Sequence, residues 1–168
     1  MLQRALSHRL ALRAALAALA LALLAYGLLK PANTARRKAP ALPAHVLAGS
    51  PINLAQLHGH AAAVVFFATW CDDCHREAAA VARFARSPAG RGRVIAVDYS
   101  DGGNWRSFVH DYDWSFPVFG DRNGTLGAAF RIEALPTTVI IDPKGRIAQT
   151  SASVQTVASL ASELRAAA

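Results

Sequence analysis

Apolar positions along the chain change period three times, and each change marks a segment. Ala14 to Leu29 is a 16-residue block of Ala, Leu, Tyr and Gly with no charge and no polar face. Pro31 to Pro43 is a Pro/Ala/basic stretch with no apolar period, which predicts a tether rather than a packed element. From His45 onward the runs are short. His45-Val46-Leu47 and Ile52-Asn53-Leu54, joined by Gly49-Ser50-Pro51, predict a small hairpin, and Leu54 to Gly59 predicts a single helical turn stopped by glycine. Val64-Val65-Phe66-Phe67-Ala68 is a continuous apolar segment of the kind expected of a strand buried on both faces.

A helix is then predicted from about Asp72 to Arg86, with Ala78, Val81 and Ala85 on one face and Ser87-Pro88-Ala89-Gly90 ending it. Val94-Ile95-Ala96-Val97 reads as a second buried strand, with Asp98 as a turn residue at its end, followed by a helix from Asn104 to Tyr112. Phe116 to Phe119 is a short apolar piece, and Thr125 to Phe130 a short helix after the Asp121-Arg122-Asn123-Gly124 turn. Leu135 to Ile141 reads as a strand led by proline. The Asp142-Pro143-Lys144-Gly145 turn carries it into Arg146 to Gln149 as a hairpin. Val157, Leu160, Ala161 and Leu164 keep helical spacing at the C-terminus. Strands alternating with helices and closing in a hairpin imply an α/β fold with a mixed central sheet covered on both faces.

Composition sharpens the division. Seven of the 18 Lys and Arg residues lie in the first 38 positions with no acid among them, which leaves eleven bases against eleven acids in the rest. The sequence pI of about 10.3 is therefore a property of the N-terminus, and it is not a nucleic-acid footprint. The basic lead and apolar block of residues 1–29 read as an uncleaved signal anchor; the alternative is a cleaved signal peptide with a small-x-small site at Ala25-Tyr26-Gly27. Either way residues 44–168 are exported as one domain, behind a linker at 30–43. Basic residues flank the block on both sides, so charge alone leaves its orientation open.

Cys71 and Cys74 are the only two cysteines. A disulfide closing so short a loop restrains almost no unfolded-chain entropy, so these thiols are chemical rather than architectural. They fall where the apolar strand gives way to a helix, whose N-terminal N–H groups favour a thiolate at the first cysteine.

The run from Val64 to Cys74 (VVFFATWCDDC), followed 62 residues after Cys74 by Pro136 within Leu135-Pro136-Thr137-Thr138 and then by IIDPKGRI, resembles the exported, membrane-anchored thioredoxins of the TlpA/ResA type. The resemblance covers about residues 45 to 165 and implies a thioredoxin-like fold with an N-terminal hairpin and a central inserted βα element. It implies that Cys71 is the nucleophile and Cys74 the resolving thiol, with no cofactor beyond that redox pair and no bound metal. Trp70 is expected to shield the sulfurs. Pro136 is expected to be cis, so that Leu135 and Thr137 flank an edge on which a substrate strand docks. Glu77 matches an acidic residue the family carries, which accepts a proton from Cys74 or raises its pKa; the alternative is a solvated surface glutamate.

Two features depart from the pattern. Val65 stands where ordinary thioredoxins bury an aspartate, and Asp72 and Asp73 stand between the cysteines, opposing thiolate formation. A less acidic Cys71 points to a reductant. The expected activity is an extracytoplasmic thiol:disulfide oxidoreductase working as a reductase on exported clients, for example in cytochrome c or redox-enzyme assembly. Its electrons would come from a transmembrane thiol carrier, and nucleic acid is not among its partners.

Rival readings share the same residues. A thiol oxidase or isomerase would run the same steps in another direction. Cys71 to His75 also matches the Cys-x-x-Cys-His haem-attachment pattern, disfavoured because the only methionine is Met1 and the flanking strands are foreign to small cytochromes. Cys71, Cys74 and His75 would offer copper three ligands, but not a closed site. A peroxidase is disfavoured because Thr69 lies only two positions before Cys71. Trp105, Tyr112, Trp114 and Phe116 read as core around the inserted helix.

Overall fold

The computed structural model describes residues 36–168, so the block read as a signal anchor lies outside the described residues. No helix among the described residues is long and apolar enough to cross a membrane. In chain order the elements are a 3-10 turn, Leu54–Leu57; β1, Ala62–Phe67; α1, Asp72–Arg86; β2, Val94–Tyr99; α2, Trp105–Asp111; β3, Val118–Asp121; α3, Thr125–Phe130; β4, Thr137–Ile141; β5, Ile147–Ser151; and α4, Val157–Ala167. The strands form one sheet in the order β3-β2-β1-β4-β5, with β1, β2 and β3 mutually parallel and β4 and β5 added antiparallel.

β1 lies at the centre, and its period-two alternation feeds two cores. Ala63, Val65 and Phe67 pack with Ala78, Val81 and Phe84 of α1, Phe108 of α2, and Leu160 and Leu164 of α4. Ala62, Val64 and Phe66 pack on the opposite face with Leu57, Leu126 and Phe130. All six β1 residues are buried, which explains why the strand reads as a run of apolar residues without polar breaks. The β4–β5 turn is held by Asp142, whose Oδ1 accepts the N–H groups of Lys144 and Arg146 at 2.9 Å each.

Two expectations are corrected. The leading hairpin does not form: Leu47 N–H donates to Val118 O at 2.7 Å, and Ala48 bridges Val118 antiparallel, so this stretch pairs with the outer edge of β3. Gly49 permits the approach, with φ +74° and a position where a Cβ would stand 2.7 Å from Phe116 O. An unpaired sheet edge offers better hydrogen-bond partners than an isolated two-strand ribbon. The linker is likewise shorter than composition implies, because from Arg36 onward it packs. Ala39 N–H donates to Gly145 O at 2.9 Å, Ile147 N–H donates to Arg37 O at 2.8 Å, and Arg36 pairs with the buried Asp142 at 3.2 Å. Ala39 is itself buried.

Phe66 is fully buried and meets Phe130 at 5.3 Å and Tyr99 at 6.4 Å between ring centroids. Phe66→Ala is expected to destabilise the domain by about 3–5 kcal/mol, read from urea unfolding midpoints, without altering the chemistry of the cysteines on the other side of the sheet.

Candidate active site

The chain leaves β1 at Phe67, turns through Ala68-Thr69-Trp70, and enters α1 with Cys71 as N-cap. Cys71 Sγ accepts the Cys74 N–H at 3.2 Å, the capping role usually filled by a Ser or Asp oxygen. Cys71 and Cys74 are joined as a disulfide with Cα atoms 5.2 Å apart. Cys71 is 7% exposed and Cys74 1%, so the first sulfur is the one nearer solvent. Asp72 and Asp73 occupy the first turn of α1, where their charge shares the positive helix end with Cys71, and Asp73 is ion-paired with Arg76.

The Leu135–Pro136 peptide is cis. Phe66 pairs with Thr137, and continuing that antiparallel register sets Leu135 and Pro136 beside the Ala68 end of the turn that carries the cysteines. Leu135 is half-buried and Pro136 buried. Trp70 is 65% exposed, so whatever cover it offers the sulfurs leaves most of the indole in water beside them. Thr137 is 2% exposed and its Oγ1 donates to Ala134 O at 2.7 Å, so its side chain serves the turn.

Glu77 is no solvated surface residue. It is 1% exposed, with Oε2 accepting the Gln155 N–H at 2.7 Å and Oε1 buried without a hydrogen-bond partner among the described residues. Burial raises its pKa to about 7 against the lowering pull of that N–H. It lies three positions after Cys74 on the same helix, hence on the same face one turn further along.

His75 is committed elsewhere than to a metal. Its Nε2 contacts Thr69 O at 2.9 Å, and its Nδ1 contacts the Tyr112 hydroxyl at 2.8 Å. A carbonyl can only accept, so Nε2 carries the proton and in the neutral ring Nδ1 accepts from Tyr112. Both nitrogens that haem iron or copper would use are thereby occupied. No group of three or more His, Cys, Asp or Glu suited to a metal ion occurs among the described residues. Phe108 packs against both His75 and Tyr112 and joins them to a cluster of Phe67, Trp114 and Phe116, with Trp114 Nε1 donating to Ala78 O at 3.0 Å.

Asp98, read as a turn residue, sits within β2 and is 4% exposed. Burial raises its pKa to about 7, and the charge of Asp101 and a hydrogen bond to it push the same way. Burial also acts on Asp101, but hydrogen bonds from the Thr69 side chain and N–H, from Gly103 N–H and from Asp98 outweigh it and hold Asp101 below its ordinary value. The sequence did carry a sign of this pair. An acid in Val94-Ile95-Ala96-Val97-Asp98-Tyr99 falls, by period two, on the same face as Val94 and Ala96, and a second acid follows three positions later.

Folded Glu77 and Asp98 keep their protons up to about pH 7, whereas the unfolded carboxyls release theirs at about pH 4. Between those values the native state binds more protons than the unfolded state, so stability falls as pH rises through that window and levels off above it. Asp101 and Asp142 act in the opposite sense, below the ordinary carboxyl range. Glu77→Gln is expected to flatten the decline, measured as urea midpoints at several values between pH 5 and 8.

Residues 35–150 match the AhpC/TSA family. The thioredoxin-like protein YneN of Bacillus subtilis is 30% identical over 115 residues, 66% of this chain and 67% of that protein. The thiol-disulfide oxidoreductase ResA of Oceanobacillus iheyensis is 33% identical over 100 residues, 58% of this chain and only 52% of that protein, so the match spans about half of its length. A thiol:disulfide interchange protein of the thioredoxin family from Chlorobium tepidum superposes with a TM-score of 0.67 at 25% identity, covering 81% of this chain and 99% of that one. With a closed Cys-x-x-Cys capping the first helix and a cis-proline strand alongside, the chain belongs to the AhpC/TSA family and, within it, to the thioredoxin-like thiol–disulfide oxidoreductases of the TlpA/ResA type.

Proposed function

We propose that the domain works outside the cytoplasm as a disulfide reductase, tethered by the apolar N-terminal segment. The observation that carries the redox assignment is the disulfide between a helix-capping Cys71 and a more deeply buried Cys74. In the reduced protein the Cys71 thiolate attacks one sulfur of a client disulfide, breaking it and releasing one client thiolate as the mixed disulfide forms. Cys74 then loses its proton to the ionised Glu77 and attacks Cys71 Sγ, which releases the second client thiolate and leaves Cys71–Cys74 oxidised. Two electrons pass to the client. A transmembrane thiol carrier returns two electrons and two protons to the pair.

Electrostatics supports this direction. Asp72 and Asp73 occupy the helix end that would otherwise stabilise a Cys71 thiolate, and a high-pKa dithiol gives up electrons more readily than one whose thiolate is strongly stabilised. Glu77, with a pKa of about 7 in a nearly dry site, is suited to take a proton and return it. The client strand pairs with the backbone beside Leu135, while the exposed indole of Trp70 supplies apolar contact. Disulfides of apocytochrome c or of other redox enzymes under assembly are the proposed clients.

Cys71→Ser is expected to abolish insulin-disulfide reduction. Cys74→Ser is expected to accumulate a mixed disulfide through Cys71, seen as a dithiothreitol-sensitive adduct by mass spectrometry. In cells, acid quench followed by alkylation is expected to find the wild-type pair mainly reduced; a mainly oxidised pair would instead assign an oxidase.

A further inference from the structure

Thr69 is bonded through its backbone on both sides, to two different parts of the fold. Its carbonyl accepts a hydrogen bond from His75 Nε2–H of α1 at 2.9 Å, and its N–H donates to Asp101 Oδ2 at 2.5 Å. Asp101 belongs to the segment between β2 and α2, and its other oxygen accepts Gly103 N–H at 2.6 Å. The fit there is close: a Cβ on Gly103 would collide with Thr69 Oγ1. Beside Asp101 stands Asp98, with one oxygen, Oδ1, buried and unpartnered among the described residues. Both acids line a surface cavity of about 220 Å³, shared with Trp105 and Arg122.

We propose that Asp98 and Asp101 are positioning residues for the exchange reaction: sharing one proton, they clamp Thr69 two residues ahead of Cys71, and release of that proton to solvent lowers the reactivity of the nucleophile. This rests on Cys71 being the attacking thiol. The singly protonated pair carries one negative charge and an internal O–H···O bond, and it presents Asp101 to Thr69. Once Asp98 ionises, two buried carboxylates repel each other, the bond between them is lost, and a second negative charge stands near the turn that carries Cys71. Both effects disfavour the Cys71 thiolate and loosen its approach.

The charged groups around the pair come from three sides. Arg122 lines the cavity from the β3–α3 turn. Arg106 of α2 is stacked over Trp105 at 4.4 Å. His75 of α1 lies across Thr69, to whose carbonyl its Nε2–H donates. β1 contributes Phe67 opposite Asp98 and no charge. Glu77, the other carboxyl that titrates near neutrality, is bonded to Gln155 instead.

Two measurements on the full-length protein test the assignment. The first is the pH profile of iodoacetamide alkylation of the reduced protein, with the modified cysteine identified by peptide mass spectrometry, for wild type and Asp98→Asn. The asparagine keeps a donor to Asp101 and cannot ionise. The two rates are expected to coincide below about pH 6, and above about pH 7.5 the wild type is expected to be slower by roughly threefold, with a shoulder near neutrality that Asp98→Asn lacks. Glu77 is present in both proteins, so its contribution cancels. Superimposable profiles overturn the proposal; alkylation of Cys74 rather than Cys71 overturns the assignment of the nucleophile instead. The second measurement needs no variant. The Thr69 amide and the Asp98 carboxyl carbon, followed by NMR on the oxidised protein, are expected to titrate with one midpoint, and a Thr69 amide that stays unmoved between pH 5 and 9 overturns the clamp.

Discussion

Six consecutive apolar residues, Ala62–Phe67, must leave water on two opposite faces at once, and everything else in the domain is arranged to let them. A strand buried on both sides has to sit at the centre of a sheet, with helices over each face and strands on each edge to satisfy its backbone. That requirement places α1 and α4 on one side and the 3-10 turn and α3 on the other. It also sets where the chemistry occurs. The strand can end only at the sheet boundary, and there the next residues turn into a helix whose first N–H groups need an acceptor. Cys71 supplies it. One sulfur of the redox pair is therefore also the atom that caps the helix, held at the rim of the core by the burial of the strand behind it.

Around that rim the protein tolerates polar groups it would elsewhere exclude. Among the described residues Glu77 and Asp98 each leave an oxygen unpartnered in the interior, a state that is destabilising unless the group keeps its proton. Their raised pKa values express that burial. The two acids flank the redox turn by different routes, Glu77 from the helix that carries the cysteines and Asp98 through Asp101 and Thr69. Val65 fills the position where an ordinary thioredoxin buries its acid, and it packs as core. The buried acids of this chain stand on other elements, Glu77 on α1 and Asp98 on β2.

The hydrogen-bonded run from Asp101 through Thr69 to His75 and Tyr112 ties the segment after β2, the redox turn, α1 and the end of α2 into one unit. Rigid support of this kind matters for thiol exchange, because the attacking sulfur, the sulfur attacked and the leaving sulfur must be nearly in line. His75, which in the linear sequence completes a haem-attachment pattern, is instead part of that support.

Period and punctuation in the sequence determined the order of strands and helices, the extent of α1 and α3, and the place of Cys71 and Cys74 at a strand-to-helix junction. Those are local properties, dictated by which side chains alternate and where glycine and proline interrupt them. What lies close in space but far along the chain was decided by the tertiary structure alone. Residues 36–39 and 47–48 found the open edges of β5 and β3, because unpaired backbone groups on a sheet are satisfied by whatever extended chain can reach them. Glu77 met Gln155 across 78 residues, and Asp101 met Thr69 across 32. A carboxyl group looks the same in a sequence whether it will face water or the core. Its proton affinity is set by the dielectric and the donors around it, and those exist only once the chain has folded.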